Sequence, residues 1–294
     1  MKRISRLSTY LILAVFTGGW LPAEEAPTQA RPLYIYDAGG LEKLSAEEQG
    51  KLVEESGFAG LVIEVESDVD LENLSLQLAT GRPPYSTKTL AVTVRFDFID
   101  LEKEVATYRE VIRAIAHQDI FLWVIVGNKN KDATMKDGED ALTDLVDYAS
   151  EHGVRTAIYP HSYCLINSAE EALPLVKKLN KPDLSIVIQL CHEMRAGNTH
   201  RLREVLQVAA PYVSAMTLSG CDTEIDWTTR RTMTYSTIKP LDRGNFDWAE
   251  FLTDAERAGI DVPIAFINFL MPDAPSDYLP RSMDAWRQKT SSQD

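Results

Sequence analysis

The feature that most constrains this chain is a repeated alternation of short apolar runs with amphipathic helical patterns. The apolar runs are rich in β-branched residues, and they predict strands at 33–37, 60–65, 90–96, 120–126, 154–159, 184–190, 213–218 and 263–268. Parallel strands need a long crossover between them, and a helical pattern supplies one after each run. The alternation therefore predicts an α/β fold, a (β/α)8 TIM barrel in one domain at 32–290, with an open doubly wound sheet as the alternative.

Several local signals mark helix ends and one long loop. Ser45 with Glu48 predicts a capping box that opens the first helix, and Ser168 with Glu171 predicts the same for the fifth. His152 is expected at a helix C-terminus, where its charge would favour the helix dipole. The longest connection, 220–247, joins the seventh and eighth strands and is expected over the mouth of the barrel.

The N-terminus has the pattern of an export signal. Residues 1–23 combine three basic residues, an apolar stretch and a plausible cleavage site before Glu24. The apolar stretch is shorter than the roughly 20 residues that span a bilayer, although an uncleaved anchor is the alternative. We therefore expect a signal peptide at 1–23, a linker at 24–31, no membrane contact after cleavage, and a periplasmic or extracellular location.

Charge and cysteine usage narrow the function classes. The formal net charge is −14 and no basic stripe is evident, so we expect no nucleic-acid partner. The three cysteines leave at least one thiol unpaired within the chain, which excludes a disulfide scaffold.

The alternation within the third strand predicts which residues face the barrel interior. Leu90, Val92, Val94 and Phe96 form the apolar phase and are expected to pack against helices. Arg95 and Asp97 lie on the opposite phase and are expected at the mouth. They are equally consistent with a structural ion pair that lines the barrel.

Polar residues also follow the second, fifth and sixth strands. Glu64 and Glu66 are in phase and fit either an acid–base pair or solvated charges. Two histidines end adjacent strands, a pattern equally consistent with a site and with packed or capping histidines. The inward residues predicted at these two strand ends are Tyr159, His161, Gln189 and Cys191, with His192 just beyond.

A cluster of soft ligands follows the fifth to seventh strands. It comprises His161, Cys164, Cys191, His192, Cys221 and Asp222. Such a set could hold zinc, although the spacing matches no compact zinc motif and buried thiols are the plainer interpretation.

Several motifs together resemble one superfamily. They are the runs 153–161, 170–173, 181–184, 189–192 and 239–248. In order and spacing they resemble the xylose isomerase-like TIM barrels, also called sugar phosphate isomerases/epimerases, over about 32–288. They look most like a secreted branch of that superfamily.

The resemblance also implies a departure. Metal-dependent members place Glu, Asp, His and Glu at the ends of strands five to eight. These match Tyr159, Gln189, Thr217 and Ile267 here, so none is kept. A hard divalent cation needs several oxygen ligands, chiefly carboxylates, which this set does not supply. The two substrate-contacting histidines of the family are kept as His161 and His192.

The sequence therefore predicts an exported carbohydrate isomerase, epimerase or lyase that works without a cofactor or the usual metal. His161 or His192 would be the general base, and Arg95 would stabilise a developing enolate. The residues predicted to contact substrate are Tyr159, Gln189, Asp97, Glu64, Thr217 and Lys239. The alternatives are a catalytically silent carbohydrate-binding protein and a metalloenzyme that uses the Cys/His cluster. DNA repair, another role in the superfamily, is disfavoured by the acidic charge and the export signal.

Overall fold

The strands close into a barrel. The computed structural model describes residues 31–41, 43–66, 68–79 and 87–291. Eight parallel strands pair in chain order, and β1 pairs with β8, which confirms the (β/α)8 prediction and rules out the open sheet. The strands are β1 (Leu33–Asp37), β2 (Gly60–Val65), β3 (Lys88–Phe96), β4 (Phe121–Val126), β5 (Thr156–Ile158), β6 (Leu184–Gln189), β7 (Val213–Leu218) and β8 (Ile264–Asn268).

Ten α-helices are found in the described residues, two more than the alternation predicts. They are α1 (Ala46–Glu55), α2 (Asp68–Ala79), α3 (Leu101–Ile115), α4 (Met135–Glu151), α5 (Ala169–Leu179), α6 (Leu190–Arg195), α7 (Leu202–Ala209), α8 (Arg230–Thr237), α9 (Trp248–Arg257) and α10 (Pro275–Thr290). The two extra helices, α6 and α8, lie in the connections after β6 and β7. Both connections open at the C-terminal face of the barrel, where barrel enzymes place their chemistry.

The predicted helix ends are largely confirmed. Ser45 and Glu48 form the predicted capping box of α1, and His152 is the C-terminal cap of α4. Ser168 caps α5 through the backbone N–H of Glu171, but the reciprocal half of the box is missing. The Glu171 carboxylate accepts instead from the backbone N–H of Asn167, at 2.7 Å.

Two strand ends differ from the prediction for identifiable reasons. β5 stops at Ile158, and the chain adds only one further ladder bond, from Tyr159 N to Val124 O at 2.9 Å. Pro160 then has no N–H to donate, which ends the ladder. β6 stops at Gln189, because the side chain of Gln189 accepts from the next backbone N–H groups and starts α6.

The predicted inward and outward phases of β3 hold except at one residue. Val92, Val94 and Phe96 pack with the helices in the outer core. Leu90, predicted on the same phase, belongs instead to the cluster inside the barrel. The register between β2 and β3 shifts at this point, so Leu90 is an extra residue that reverses the alternation.

Aromatic side chains fill the barrel below its mouth. Tyr159 stacks on Trp123 at 5.6 Å between ring centroids, and Tyr36 meets Tyr159 edge-on at 5.4 Å. Small residues on four strands give these rings room: Ala91, Ala157, Ala215 and Ala265. The barrel is therefore a packed core, and its aromatic layer forms the floor of the mouth.

The chain before the barrel is described only at its last residue. The predicted signal peptide at 1–23 and residues 24–30 of the predicted linker lie outside the described residues. Arg31, at the end of that linker, donates to Asp261 and to the carbonyl of Val262, both at 2.8 Å. Within the described ranges, none of the helices has the length and apolar character needed to cross a bilayer.

The three cysteines are all buried free thiols, which agrees with the exclusion of a disulfide scaffold.

The 220–247 connection contains α8, and it contributes Arg230, Thr234 and Ile238 to the cavity at the mouth. The expectation that this long connection covers the mouth is therefore confirmed.

Candidate active site in the barrel mouth

A cavity of about 760 Å³ occupies the C-terminal face of the barrel. It is lined by the ends of β1, β2, β3, β5 and β8 and by residues of α6 and α8. Its floor is the aromatic layer that contains Tyr36 and Tyr159. A concave site with an apolar floor and convergent polar groups is the usual setting for a small-molecule ligand.

The structure brings together five of the nine predicted site residues. Those that line the cavity are Arg95, Glu64, Tyr159, His161 and His192. Asp97 lies behind Arg95, and Gln189 and Thr217 lie buried beneath the floor. Lys239 lies outside the cavity lining and forms an ion pair with Asp222 at 2.6 Å.

The two histidines lie side by side and are oriented by one serine. The ring centroids of His161 and His192 are 4.0 Å apart. The Nδ1 of His161 lies 2.9 Å from the carbonyl oxygen of Ser162. The backbone N–H of Ser162 donates to Nδ1 of His192 at 3.3 Å, and the serine hydroxyl lies 2.9 Å from the same nitrogen.

These partners fix opposite tautomers for the two rings. A carbonyl oxygen only accepts, so Nδ1 of His161 carries the proton and Nε2 carries the lone pair. A backbone N–H only donates, so Nδ1 of His192 carries the lone pair and Nε2 carries the proton. His161 therefore offers a base, and His192 offers a donor beside it. Among the described residues, the buried Nε2 of His192 has no hydrogen-bond partner.

Both imidazoles are held neutral. Burial lowers the pKa of His161 to about 4, and Arg95, Arg195 and Arg230 act in the same direction. Burial also lowers the pKa of His192 well below its usual range, with His161 and Arg195 as further causes. A neutral His161 has its lone pair available across the physiological pH range, as a general base requires.

Arg95 is fixed by an ion pair. Its Nε donates to Asp97 Oδ1 at 2.9 Å, and Lys129 contacts the other oxygen of Asp97 at 2.7 Å. Gly127 makes this approach possible, because a Cβ there would lie 2.5 Å from Asp97 Oδ1. The predicted ion pair thus forms, and it holds the Arg95 guanidinium at the cavity wall.

Glu64 lies in an acidic part of the mouth. Burial raises its pKa to about 8, Glu66 adds to the rise, and Arg95 opposes it. The hydroxyl of Tyr36 lies 3.4 Å from Glu64 Oε1, a long contact. Glu64 is therefore mostly protonated at neutral pH and can donate a proton from this wall.

Four positions match the metal ligands of the superfamily that the sequence resembles: Tyr159 and Ile267 line the cavity, whereas Gln189 and Thr217 are buried outside its lining. Gln189 and Thr217 are paired across β6 and β7, and Ile267 lies opposite Tyr36 across β8 and β1. A phenol, an amide, a hydroxyl and an alkyl group do not fit a divalent-metal site. Within the described residues, Tyr159 Oη, Gln189 Nε2 and Thr217 Oγ1 are buried without a hydrogen-bond partner.

The alternative Cys/His site is not formed. Cys164 Sγ lies 3.6 Å from His161 Nδ1, but that nitrogen already donates to Ser162. Across the part of the chain that the structure describes, no group of three His, Cys, Asp or Glu side chains could hold a metal ion. Burial raises the pKa of Cys164 to about 11, which disfavours the thiolate that zinc requires.

Four residues of the site escaped the sequence reasoning. Ser162 orients both histidines, and Arg195, Arg230 and Tyr163 line the cavity. Arg195 follows His192 by three residues, so recognising α6 would have placed both on one helix face. The backbone of Tyr163 has a φ of 66°, and its ring is 57% exposed, which matches an aromatic group held at a functional rim.

Comparison with known proteins agrees with this architecture. A family model described as "Xylose isomerase-like TIM barrel" matches residues 96–289. No curated protein matches the chain in sequence.

Solved structures share the fold at low sequence identity. A 3-keto-D-glucoside 4-epimerase from E. coli is 10% identical, with a TM-score of 0.67 over 88% of this chain and 100% of that one. A D-allulose 3-epimerase from Methylomonas sp. is 14% identical, with a TM-score of 0.64 over 89% of this chain and 99% of that one. An AP endonuclease of family 2 from Brucella melitensis is 15% identical, with a TM-score of 0.61 over 84% of this chain and 96% of that one.

Proposed function

This chain belongs to the xylose isomerase-like TIM barrel family, and we propose that it binds a carbohydrate in the barrel mouth and moves a proton next to the sugar carbonyl. The opposite tautomers of His161 and His192 carry this proposal. A base and a proton donor 4.0 Å apart, both lining one cavity, can serve the two ends of an enolisation.

The roles follow from the atoms that each group leaves available. His161 Nε2 takes the proton from the carbon beside the carbonyl. The enolate oxygen that develops is met by the Nε2–H of His192 and by the guanidinium of Arg95. Glu64, protonated on the other wall, returns a proton to carbon. Delivery from the other face inverts that carbon, and the product is then an epimer.

The floor and rim support a sugar ligand. Tyr159, which lines the cavity, offers a neutral phenol that suits a sugar better than a cation. The exposed ring of Tyr163 offers an apolar face at the rim. The similarity in fold to the two epimerases adds to this support, since their names describe reactions on sugars.

We further propose that the reaction uses no metal. The donor set at the four matching positions carries this proposal, because it lacks the carboxylates that a hard cation needs. Treatment with EDTA followed by dialysis is expected to leave turnover unchanged. Activity that disappears with EDTA and returns with zinc or manganese would refute the metal-free part alone.

Export is proposed on the sequence pattern of residues 1–23, which predicts a periplasmic or extracellular protein. We also propose that no nucleic acid binds, because of the net charge of −14. Cell fractionation tests the location, and a gel shift with duplex DNA that contains an abasic site tests the second point.

The decisive experiment follows hydrogen exchange. Incubation in D2O with a panel of ketoses, aldoses and 3-keto-glycosides, read by NMR, is expected to show deuterium entering next to the carbonyl of one class. Epimer formation would accompany it. Binding of a sugar without exchange would support the catalytically silent alternative, and the absence of any binding would refute the proposed function.

A further inference from the structure

Arg195 is a cation inside the mouth that has no acidic partner among the described residues. Its Nε and Nη2 both donate to the Thr237 hydroxyl, at 3.0 and 2.6 Å. That hydroxyl is itself buried, and it donates onward to the carbonyl of Met233 at 2.9 Å. Among the described residues, no carboxylate lies within ion-pair distance of Arg195. The Thr237 hydroxyl therefore holds the guanidinium in place and leaves its charge uncompensated.

His192, whose Nε2–H is proposed above to meet the enolate oxygen, lies on the same helix as Arg195. His192 is 2% exposed, lines the cavity and has a protonated Nε2 with no partner among the described residues. His192 and Arg195 are three residues apart on α6, so their side chains lie on one face. The lowered pKa of His192, for which Arg195 is a cause, agrees with this proximity.

The other two arginines of the mouth are placed differently. Arg95 already shares a carboxylate with Lys129. Arg230 lies at the rim, with its guanidinium 5.8 Å from the centre of the Tyr163 ring. All three cations act on His161, so they surround one part of the cavity. A half-buried cation with no counter-charge is costly, and a ligand anion would relieve that cost.

We propose that the sugar bound in the mouth carries an anionic group, a carboxylate or a phosphate, and that Arg195 binds that group. This inference rests on the proposed function and names its substrate class. Guanidinium groups bind both anions through paired N–H donors, so the shared chemistry is a planar or tetrahedral oxyanion. Asp37 and Glu66 on the facing wall repel the anion, which fixes the direction in which the sugar enters.

The test compares sugars that differ at a single position. Binding of D-glucose, D-glucuronate, D-glucose 6-phosphate and inorganic phosphate would be measured by calorimetry on the full chain. We expect at least one charged sugar to bind roughly tenfold more tightly than glucose. Arg195→Gln should remove this preference, and Arg195→Lys should keep part of it. Arg155→Gln, at the opposite end of the barrel and paired with Asp119, is the matched control and should keep all of it.

The outcomes separate this inference from the function on which it rests. A preference for glucuronate or for the phosphate ester identifies the source of the anion. If glucose binds with the same affinity as both charged sugars and Arg195→Gln has no effect, the anionic subsite is overturned and carbohydrate binding stands. Binding of inorganic phosphate alone, or of none of the four, would overturn a sugar-borne anion at this subsite, and the hydrogen-exchange panel would then decide the proposed function separately.

Discussion

The two walls of the mouth differ in charge, and burial acts on them in opposite ways. One wall carries His161 and His192 among arginines, where burial and positive charge keep both imidazoles neutral. The facing wall carries Glu64 beside Glu66, where burial and negative charge keep a carboxyl group protonated. The same desolvation thus produces a base on one wall and an acid on the other.

This difference supports the proposal that the site works without a metal. In metal-dependent relatives a cation would stabilise the enolate, whereas here a neutral donor and a guanidinium lie on the base-bearing wall. The acid lies on the other wall, where a proton can reach the second face of the substrate carbon. The comparison therefore predicts that substitutions on the two walls have different effects on activity and stability.

The largest effect is expected from His161→Gln. Removal of the base should lower turnover by roughly 100- to 10,000-fold, the usual contribution of general base catalysis. Exchange of the substrate proton with D2O is the measurement. His200→Gln, an exposed histidine outside the cavity lining, is the control. Equal loss in both variants, or in neither, would remove His161 from the base role.

The pH dependence of the free energy of unfolding is expected to distinguish the two walls. The pKa of Glu64 is raised from 4.5 to about 8, so its contribution is present below 4.5 and is lost as pH rises towards 8. The pKa of His161 is lowered from 6.5 to about 4, so its contribution is present above 6.5 and is lost as pH falls towards 4. The two walls therefore limit stability at opposite ends of the pH scale.

Glu64→Gln should reduce the loss of stability that occurs as the pH rises towards 8. A gain of roughly 2 kcal/mol, or about 4–8 °C in Tm, is expected near pH 8 after allowance for solvent screening, with little change near pH 4. Thermal unfolding from pH 4 to 9 measures this gain, with the exposed Glu224→Gln as control. A gain that does not depend on pH would show that Glu64 is ionised throughout, and the contrast between the walls would then fail.

Tyr163→Asn should weaken substrate binding with little change in kcat. Asparagine tolerates the positive φ at this position, so the change mainly removes the ring. A rise in KM of roughly tenfold is expected for loss of one aromatic contact. Trp227→Ala is the control, because Trp227 is similarly exposed but lies outside the cavity lining. An unchanged KM in Tyr163→Asn would exclude the rim as a sugar platform.

The smallest effect is expected from Lys239→Met. Lys239 was predicted to contact substrate, but its ammonium group is paired with Asp222 outside the cavity lining. Loss of this partly exposed pair should cost about 1 kcal/mol or less, with KM unchanged. Urea unfolding and steady-state kinetics test the two halves of this statement. A raised KM would return Lys239 to the substrate site and extend the cationic wall.

Much of the fold was accessible from the sequence because it depends on local periodicity. Alternating apolar residues located all eight strands, and the phase of β3 placed Arg95 at the mouth. The errors arose where one residue broke the local rule. Leu90 is an extra residue in its strand. Gln189 caps helix α6, whereas the sequence pattern predicted that the strand would continue beyond this residue.

The site was only partly accessible, because its chemistry depends on contacts between distant segments. Two strand ends with histidines could be seen in the sequence, but not the serine whose carbonyl and N–H give the two rings opposite tautomers. Asp222 removes Lys239 from the mouth through an ion pair between residues 17 positions apart in the chain, and no local pattern encodes that pairing.

The sequence by itself therefore determined the barrel and its family, and it motivated the proposal that the usual metal ligands are absent. The tertiary structure decided the protonation states, the opposed walls and the unpaired charge of Arg195. The physical reason is the range of the forces involved. Strand and helix patterns arise from neighbours in the chain, whereas pKa values and ion pairs depend on burial and on charges that only folding brings together.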